Sequence, residues 1–212
     1  MVKVTLISWS GGTIRDPRRL LLIAFKVSSG KVSRKGIEYY LSNYPDEKVS
    51  EYVRLSYKFP SVLEHVVFTF LISDVSRVTS HQLVRHRIAS YTQESQRYSV
   101  VSEDYVVPIS IMSNDELREL FRNVVSHSFQ VYKSLISKGV RPEDARFVLP
   151  QAVKTTILMT VNLRELLHIA CLRLSNEAQW EIREVVKLMI EEVSKIIPEI
   201  WHLVNNYCRW EV

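Results

Sequence analysis

Two runs in this 212-residue chain are built for a sheet, and nearly everything around them has a helical period. His65-Val66-Val67-Phe68-Thr69-Phe70-Leu71-Ile72 concentrates β-branched and aromatic residues, which suit a pleated, half-buried surface. Between Ala152 and Val161, Val153, Thr155, Ile157, Met159 and Val161 fall on alternate positions, the two-residue period of a strand. Shorter strands are expected over Met1 to Ser8 and around Tyr105-Val106-Val107, closed by Pro108. Helices are expected over Asp16–Val27, Ser33–Asn43 (ended by Pro45), Asp46–Tyr57, Ser76–Arg87, Pro142–Leu149 and Asn162–Leu172. Ser113-Asn114-Asp115-Glu116 reads as a capping box. Behind it Leu117, Leu120, Phe121, Val124, Val125, Val131, Leu135 and Ile136 form a helical stripe ending near Gly139. Asn176–Ile197 is amphipathic, with Ile182, Val185, Val186, Met189, Ile190, Val193 and Ile197 on one face and a Glu191–Lys195 pair on the other. The polar stretch Ile88 to Ser99 reads as irregular. These elements predict an α/β (α+β) fold, a small mixed sheet flanked by helices. No repeat or Pro/Gly-rich linker divides residues 1–212, so one domain is expected.

The glycines exclude two common ways of holding a nucleotide. They number five, at positions 11, 12, 30, 36 and 139, so neither G-x-G-x-x-G nor G-x-x-x-x-G-K-[ST] can be written anywhere in the chain. A bound phosphate must be held by side chains instead. The net charge of +5 suits an anionic ligand without naming one. No apolar stretch reaches about 18 residues, and the N-terminal run is too short for the apolar region of a signal peptide. Cys171 and Cys208 form neither a C-x-x-C pair nor a secreted framework. A reducing, cytoplasmic setting is therefore expected, with Cys171 a small buried hydrophobe in the run 166–172.

The segment Arg85-His86-Arg87-Ile88-Ala89-Ser90-Tyr91-Thr92-Gln93-Glu94-Ser95-Gln96-Arg97-Tyr98-Ser99 is too polar for a core. Guanidinium groups bind phosphate through paired donors, hydroxyls add short bonds, and tyrosine offers a ring face. Arg85 and Arg87, two residues apart, would diverge by about 200° on a helix and serve different groups. A solvated basic loop or a nucleic-acid patch would also use such residues.

Arg85-His86-Arg87, seven residues, then Ser95 is similar to the RHR-x7-S motif of the flavin-dependent thymidylate synthases. The similarity continues upstream in Ser61-Val62-Leu63-Glu64-His65-Val66-Val67-Phe68-Thr69-Phe70. Downstream it runs through Ala145-Arg146-Phe147-Val148-Leu149-Pro150, Thr160-Val161-Asn162-Leu163-Arg164, Leu172-Arg173 and Ala178-Gln179-Trp180-Glu181, in family order. It covers about residues 20 to 195. The resemblance implies a homotetramer with active sites shared between subunits. Its reaction would methylate dUMP to dTMP, taking carbon from 5,10-methylenetetrahydrofolate and hydride from FAD that NADPH reduces.

Residue by residue, the resemblance implies FAD contacts from Ser61, Arg85, His86, Arg87, Gln93, Asn162, Leu163, Arg164 and His168. It implies dUMP contacts from Gln82, Leu83, Val84, Arg85, Gln93, Glu94, Ser95, Gln96, Arg97, Arg146 and Arg173. Arg173 is the implied catalytic residue, a fixed cation beside the pyrimidine that favours ionisation at N3. Ser95 is expected to bind rather than attack, because no G-x-S-x-G surrounds it. Three positions depart from the family pattern: Gln93 stands where many relatives carry Glu, Phe59 where they often carry His, and His168 where some carry Asn.

Two other readings compete. One is a nucleic-acid-binding module using 85–98, and the other is an inactive homologue that binds flavin and nucleotide. A metal is not expected, since neither H-E-x-x-H nor Cys/His spacing occurs. His65 reads as a satisfied core or edge histidine, and His127 and His202 as surface residues. Trp180 reads as core, and Trp201 and Trp210 as subunit-contact residues.

Overall fold

Four antiparallel strands in the order β1-β2-β4-β3 make the sheet: β1 (Lys3–Trp9), β2 (Val67–Ser76), β3 (Ala89–Gln93) and β4 (Lys154–Asn162). The structure, a computed structural model, describes residues 2–12 and 14–210, with the Trp210 side chain outside that description. Met1 of the first expected strand and the packing expected of Trp210 therefore lie outside the described residues.

Alternation decides which face of the sheet is covered. Phe68, Phe70 and Ile72 on β2 and Ile157, Met159 and Val161 on β4 point to one side and are almost wholly buried. Each such side chain contributes about 1.5–3 kcal/mol on leaving water. The opposite face keeps Leu71 and Leu158 paired in register, each 37% exposed, beside a Thr69–Thr160 hydroxyl contact. The strands run antiparallel throughout, which sharpens the expected small sheet to an α+β arrangement.

Helices form in chain order as α1 (Pro17–Ser28), α2 (Lys31–Lys35), α3 (Asp46–Leu55), α4 (Pro60–Leu63), α5 (Arg77–Leu83), α6 (Ile109–Met112), α7 (Asp115–Ser137), α8 (Pro142–Ala145), α9 (Leu163–Arg173), α10 (Trp180–Ser194) and α11 (Ile200–Trp210). The apolar stripe of α10 packs on β1 and β2, and α9 packs between α10 and α11. One further tie crosses the core. Glu181, at the start of α10, accepts from the Ser76 backbone N–H at 2.8 Å, from the Ser76 hydroxyl, and from Thr79 Oγ1 at 2.7 Å. Ser76 also caps α5 by accepting from Thr79 N.

Several expectations change. The helix expected over 33–43 is split by Gly36 at φ 76°, leaving α2 and a π-helical turn at Tyr39–Asn43. Residues 89–93, expected to be irregular, form edge strand β3. His65 lies exposed in the turn before β2, not inside a strand. Tyr105 makes a single bridge to Val153 instead of a strand. Helix α7 begins one residue later than the capping box implies, with Asn114 accepting from Leu117 N. Its buried face is Val125, Phe129 and Tyr132, while Leu117, Leu120 and Val124 are exposed. The Glu191–Lys195 pair does not form: Lys195 reaches Glu192, and Glu191 meets Lys187 at 3.8 Å. Trp180 is only half-buried.

The largest correction concerns the cysteines. Cys171 on α9 and Cys208 on α11 form a disulfide, with their Cα atoms 5.2 Å apart. Cys171 is therefore not a free buried thiol, and the reducing setting inferred from unpaired cysteines loses its premise.

Candidate functional site

Strand β3 divides the motif residues between its two ends. Ala89 pairs with Val161 and Gln93 with Ile157, so four residue steps, roughly 13 Å, separate the Arg85-His86-Arg87 turn from Glu94-Ser95-Gln96-Arg97. Tyr91 in the middle of β3 fixes that turn. Its hydroxyl lies 2.9 Å from both the Leu83 and the His86 carbonyls. Burial, with Glu165 nearby, holds the phenol well above its usual ionisation range.

At the first end His86 is 5% exposed, and Arg173 Nε donates to its Nε2 at 3.0 Å. His86 Nδ1 lies 3.7 Å from Glu165 Oε1, and the His168 ring is 6.3 Å away, edge-on. Burial, then the Arg173 and His168 charges, lowers the His86 pKa to about 4, so the ring is neutral near pH 7. Asn162 ends β4 and caps α9, accepting from Glu165 N at 2.9 Å. Leu163 N donates to Val66 O at 2.7 Å, which locks the strand-to-helix turn against β2. Arg173 closes the same helix, where the carbonyl end favours a cation.

A cavity of about 260 Å³ opens here, lined by Glu64, Ile88, Asn162, Arg164, Glu165, His168 and Tyr207. Arg164 pairs with Glu64 at 2.5 Å, a bond that raises the guanidinium pKa further. Arg85 and Arg87 are exposed beside it. Ser61 borders a neighbouring apolar cavity of about 500 Å³ with Phe59, His65, Leu20 and Ile23, and Phe25 meets the Phe59 ring edge-on at 5.2 Å.

The second end is cationic. Glu143 collects Arg97 (Nε, 2.6 Å), Arg141 (Nη2, 2.8 Å) and, through its carbonyl, Arg146 (Nε, 3.0 Å). Ser95 Oγ accepts from Arg97 N at 3.1 Å, and Ser99 Oγ donates to Ser95 O at 2.6 Å, so the loop is a turn closed by its own hydroxyls. Gln93 Nε2 donates to Thr155 Oγ1 at 3.1 Å. A cavity of about 190 Å³ next to this loop is lined by Arg77, Glu94, Gln96, Ser99 and Lys154, among others.

Arg77 is the residue that the sequence reading missed. Its Nη2 donates to Glu94 O at 3.0 Å, and burial lowers its pKa. Arg77 Nε and Gln96 Nε2 are both buried without a partner, and such atoms cost about 1–3 kcal/mol each when left unpaired. Both residues line this cavity, together with the carboxylates Asp74, Glu94 and Asp104. The position of Arg77, eight residues before Arg85, was the available signal.

Gln82 and Leu83 end α5 and Val84 follows it, with Leu83 wholly buried. One chain thus brings together His86, Asn162, Leu163, Arg164, His168 and Arg173, and separately Glu94, Ser95, Gln96, Arg97 and Arg146. It does not bring the two sets into one pocket. Arg85 and Arg87 lie in a turn after α5, not on a helix. Among the described residues no three His, Cys, Asp or Glu side chains converge as metal ligands, and no helix is long and apolar enough to cross a membrane.

The antiparallel sheet thus sets a cavity lined by Asn162, Arg164 and His168 at one end of its edge strand and a cluster of guanidiniums at the other. The chain belongs to the family described as Thymidylate synthase complementing protein, which matches residues 6–199. It is 46% identical over 200 residues to the flavin-dependent thymidylate synthase of Pyrococcus furiosus, covering 92% of this chain and 80% of that one. It is 40% identical over 210 residues to the enzyme of the same name from Sulfurisphaera tokodaii, covering 98% and 79%. The fold is also that of the UMP/dUMP methylase PolB from Streptomyces cacaoi, solved with 5-Br dUMP, at a TM-score of 0.80 and 23% identity over 96% and 94% of the two chains.

Proposed function

We propose that the chain, acting as one domain over its whole length, converts dUMP to dTMP with methylenetetrahydrofolate as carbon donor and FAD as hydride carrier. The observation that carries this reading is the split of the RHR-x7-S residues across β3, with a donor-lined cavity at one end and gathered guanidiniums at the other. The first end suits a flavin dinucleotide: Asn162 and His168 line it with amide and ring-nitrogen groups, Arg164 enters it paired with Glu64, and Arg85 and Arg87 are exposed and can meet a pyrophosphate. At about 260 Å³ this cavity is below the roughly 300–1,000 Å³ of small-molecule sites, which supports a site completed by a second subunit. The exposed Leu71–Leu158 face and the exposed α7 stripe support the same homotetrameric assembly.

At the other end, Ser95, Arg97 and Arg146 take the 5′-phosphate, with Arg97 and Arg146 already drawn together at Glu143. Gln82, Val84, Glu94 and Gln96 complete the nucleotide contacts and Ser61 those of the flavin, while Leu83 and Leu163, wholly buried, stand behind them in the core. Gln93 lies between the two ligands, held by Thr155. Arg173 meets the uracil. Its Nε is tied to His86, and its terminal Nη groups make no hydrogen bond among the described residues. A cation fixed there stabilises charge developing on N3 and C4–O as the ring becomes nucleophilic at C5, and removing such a donor costs about 10²–10³ in rate. No protein nucleophile is needed. When bound beside Asn162, Arg164 and His168, FAD reduced by NADPH would supply the hydride that brings the transferred carbon to the methyl level. Tetrahydrofolate leaves, and the C5 hydrogen goes to solvent as a proton. A cytoplasmic setting suits these phosphorylated and folate substrates.

Tritium release from [5-³H]dUMP tests this directly. Release that requires FAD, NADPH and the folate donor is expected, with Arg173→Ala keeping flavin but losing at least about a hundredfold in rate. No release from the flavin-loaded wild type would overturn the proposal.

A further inference from the structure

We propose that Glu165 is a positioning residue for Arg173, acting through the ring of His86, an inference that rests on the role given to Arg173 above. A neutral imidazole has one N–H and one lone pair. Arg173 Nε is a donor only, and it lies 3.0 Å from His86 Nε2. Nε2 must therefore be the acceptor, which leaves the hydrogen on Nδ1. That nitrogen faces Glu165 Oε1 at 3.7 Å. The spacing is longer than a full hydrogen bond. It is a charge–dipole contact between two residues that are both under a tenth exposed, and such contacts gain strength in a low-dielectric interior.

The three residues are fixed by elements that have little freedom. Glu165 and Arg173 are eight residues apart on α9, and the backbone N–H of Glu165 is bound by the Asn162 cap. The His86 carbonyl is fastened by Tyr91 on β3. Glu165 thereby selects the tautomer of His86, and that tautomer sets the plane of the Arg173 guanidinium. With the other tautomer, two N–H groups would confront each other across the 3.0 Å contact. Arg173 would then have to rotate away, carrying its Nη groups out of register with the uracil. The arrangement parallels carboxylates behind metal-bound histidines, whose loss costs about 10–100-fold.

The experiment uses the FAD-loaded enzyme and 5-bromo-dUMP, whose bromine makes N3 more acidic, so that the bound N3 anion is visible as a shift in near-ultraviolet absorbance. Wild type is expected to show the anion, and Arg173→Ala to lose it. Glu165→Ala should lower both the bound anion fraction and kcat for dUMP by about 10–100-fold with KM little changed. Glu165→Gln, which keeps an acceptor toward Nδ1, should recover most of both. An Arg173→Ala enzyme that keeps the anion sinks the reading of Arg173 itself. An Arg173→Ala that loses the anion beside a Glu165→Ala that keeps it overturns the role of Glu165 alone, and so does equal impairment of Glu165→Ala and Glu165→Gln. Should Glu165→Ala fail to fold, ¹⁵N NMR of histidine-labelled wild type decides the matter: an Nδ1–H tautomer at His86 is expected, and Nε2–H overturns the proposal.

Discussion

Breaking the Cys171–Cys208 bridge should cost stability without changing the chemistry at 25 °C. The two cysteines are 37 residues apart, and closing a loop of that length removes about 4 kcal/mol of chain entropy from the unfolded state. In a chain of this size each kcal/mol moves the melting temperature by about 2–4 °C, so its loss should lower Tm by roughly 8–15 °C. The clean perturbation is the double variant Cys171→Ser/Cys208→Ser, melted beside wild type at one protein concentration and followed by circular dichroism. Each single variant should fall as far as the double, because either one opens the same loop. Thiol titration of unfolded, unreduced wild type should find no free sulfhydryl. Two free thiols, or a double variant melting within about 2 °C of wild type, would refute the reasoning. Turnover at 25 °C should be unaffected, since α9 and α11 also pack through apolar side chains.

Other expectations follow from buried polar groups. The His86 pKa is lowered to about 4 in the fold from an ordinary 6.5, so the unfolded chain binds the extra proton first. The contribution is fully present above pH 6.5 and is lost as pH falls toward 4, amounting to about 3 kcal/mol at most. A His86→Gln variant should show a flatter decline in urea-unfolding stability across that window, and an identical slope would contradict it. Glu181→Leu leaves the Ser76 and Thr79 donors unpaired in the core and should cost about 3–5 kcal/mol in urea unfolding; a loss under about 1 kcal/mol would mean the tie carries little. Lys26, 4% exposed, sits over the Tyr52 ring at 3.8 Å and the Tyr44 ring at 5.0 Å. Burial opposes its charge, but the hydrogen bonds with Tyr52 and Tyr44 overcome that and lower the Tyr52 pKa in turn. Lys26→Met should shift the ionisation of Tyr52 to higher pH in an ultraviolet titration and cost about 1–2 kcal/mol.

The strands that form the middle of the sheet were legible because alternation and β-branching are local properties: β2 and β4 appear within a few residues of where Phe68 and Ile157 place them. Strand β3 was not, because Ala89-Ser90-Tyr91-Thr92-Gln93 is an edge strand with a polar outer side, and only its pairing with β4 makes it a strand. Gly36 was visible but its left-handed backbone was not, so one long helix was expected where two short pieces form. The disulfide depends on α9 and α11 lying side by side, a tertiary fact that no spacing rule supplies. Among the site residues, the motif supplied names, while the separation of His86 from Ser95 came from the sheet and the buried Nε of Arg77 from the packing of α5.

Asn162 is both the last residue of β4 and the cap of α9, and Arg173 is the last residue of that helix. No loop intervenes, so the side chains assigned to the flavin and the one assigned to the uracil ride on a single rigid rod. Eleven residues at about 1.5 Å each set a spacing near 16 Å between its ends. On the proposed assignment, that rod is a gauge for how far apart the two ligands are gripped. Adding one residue within α9 would turn Arg173 by about 100° about the helix axis and miscalibrate that gauge while leaving every named side chain present.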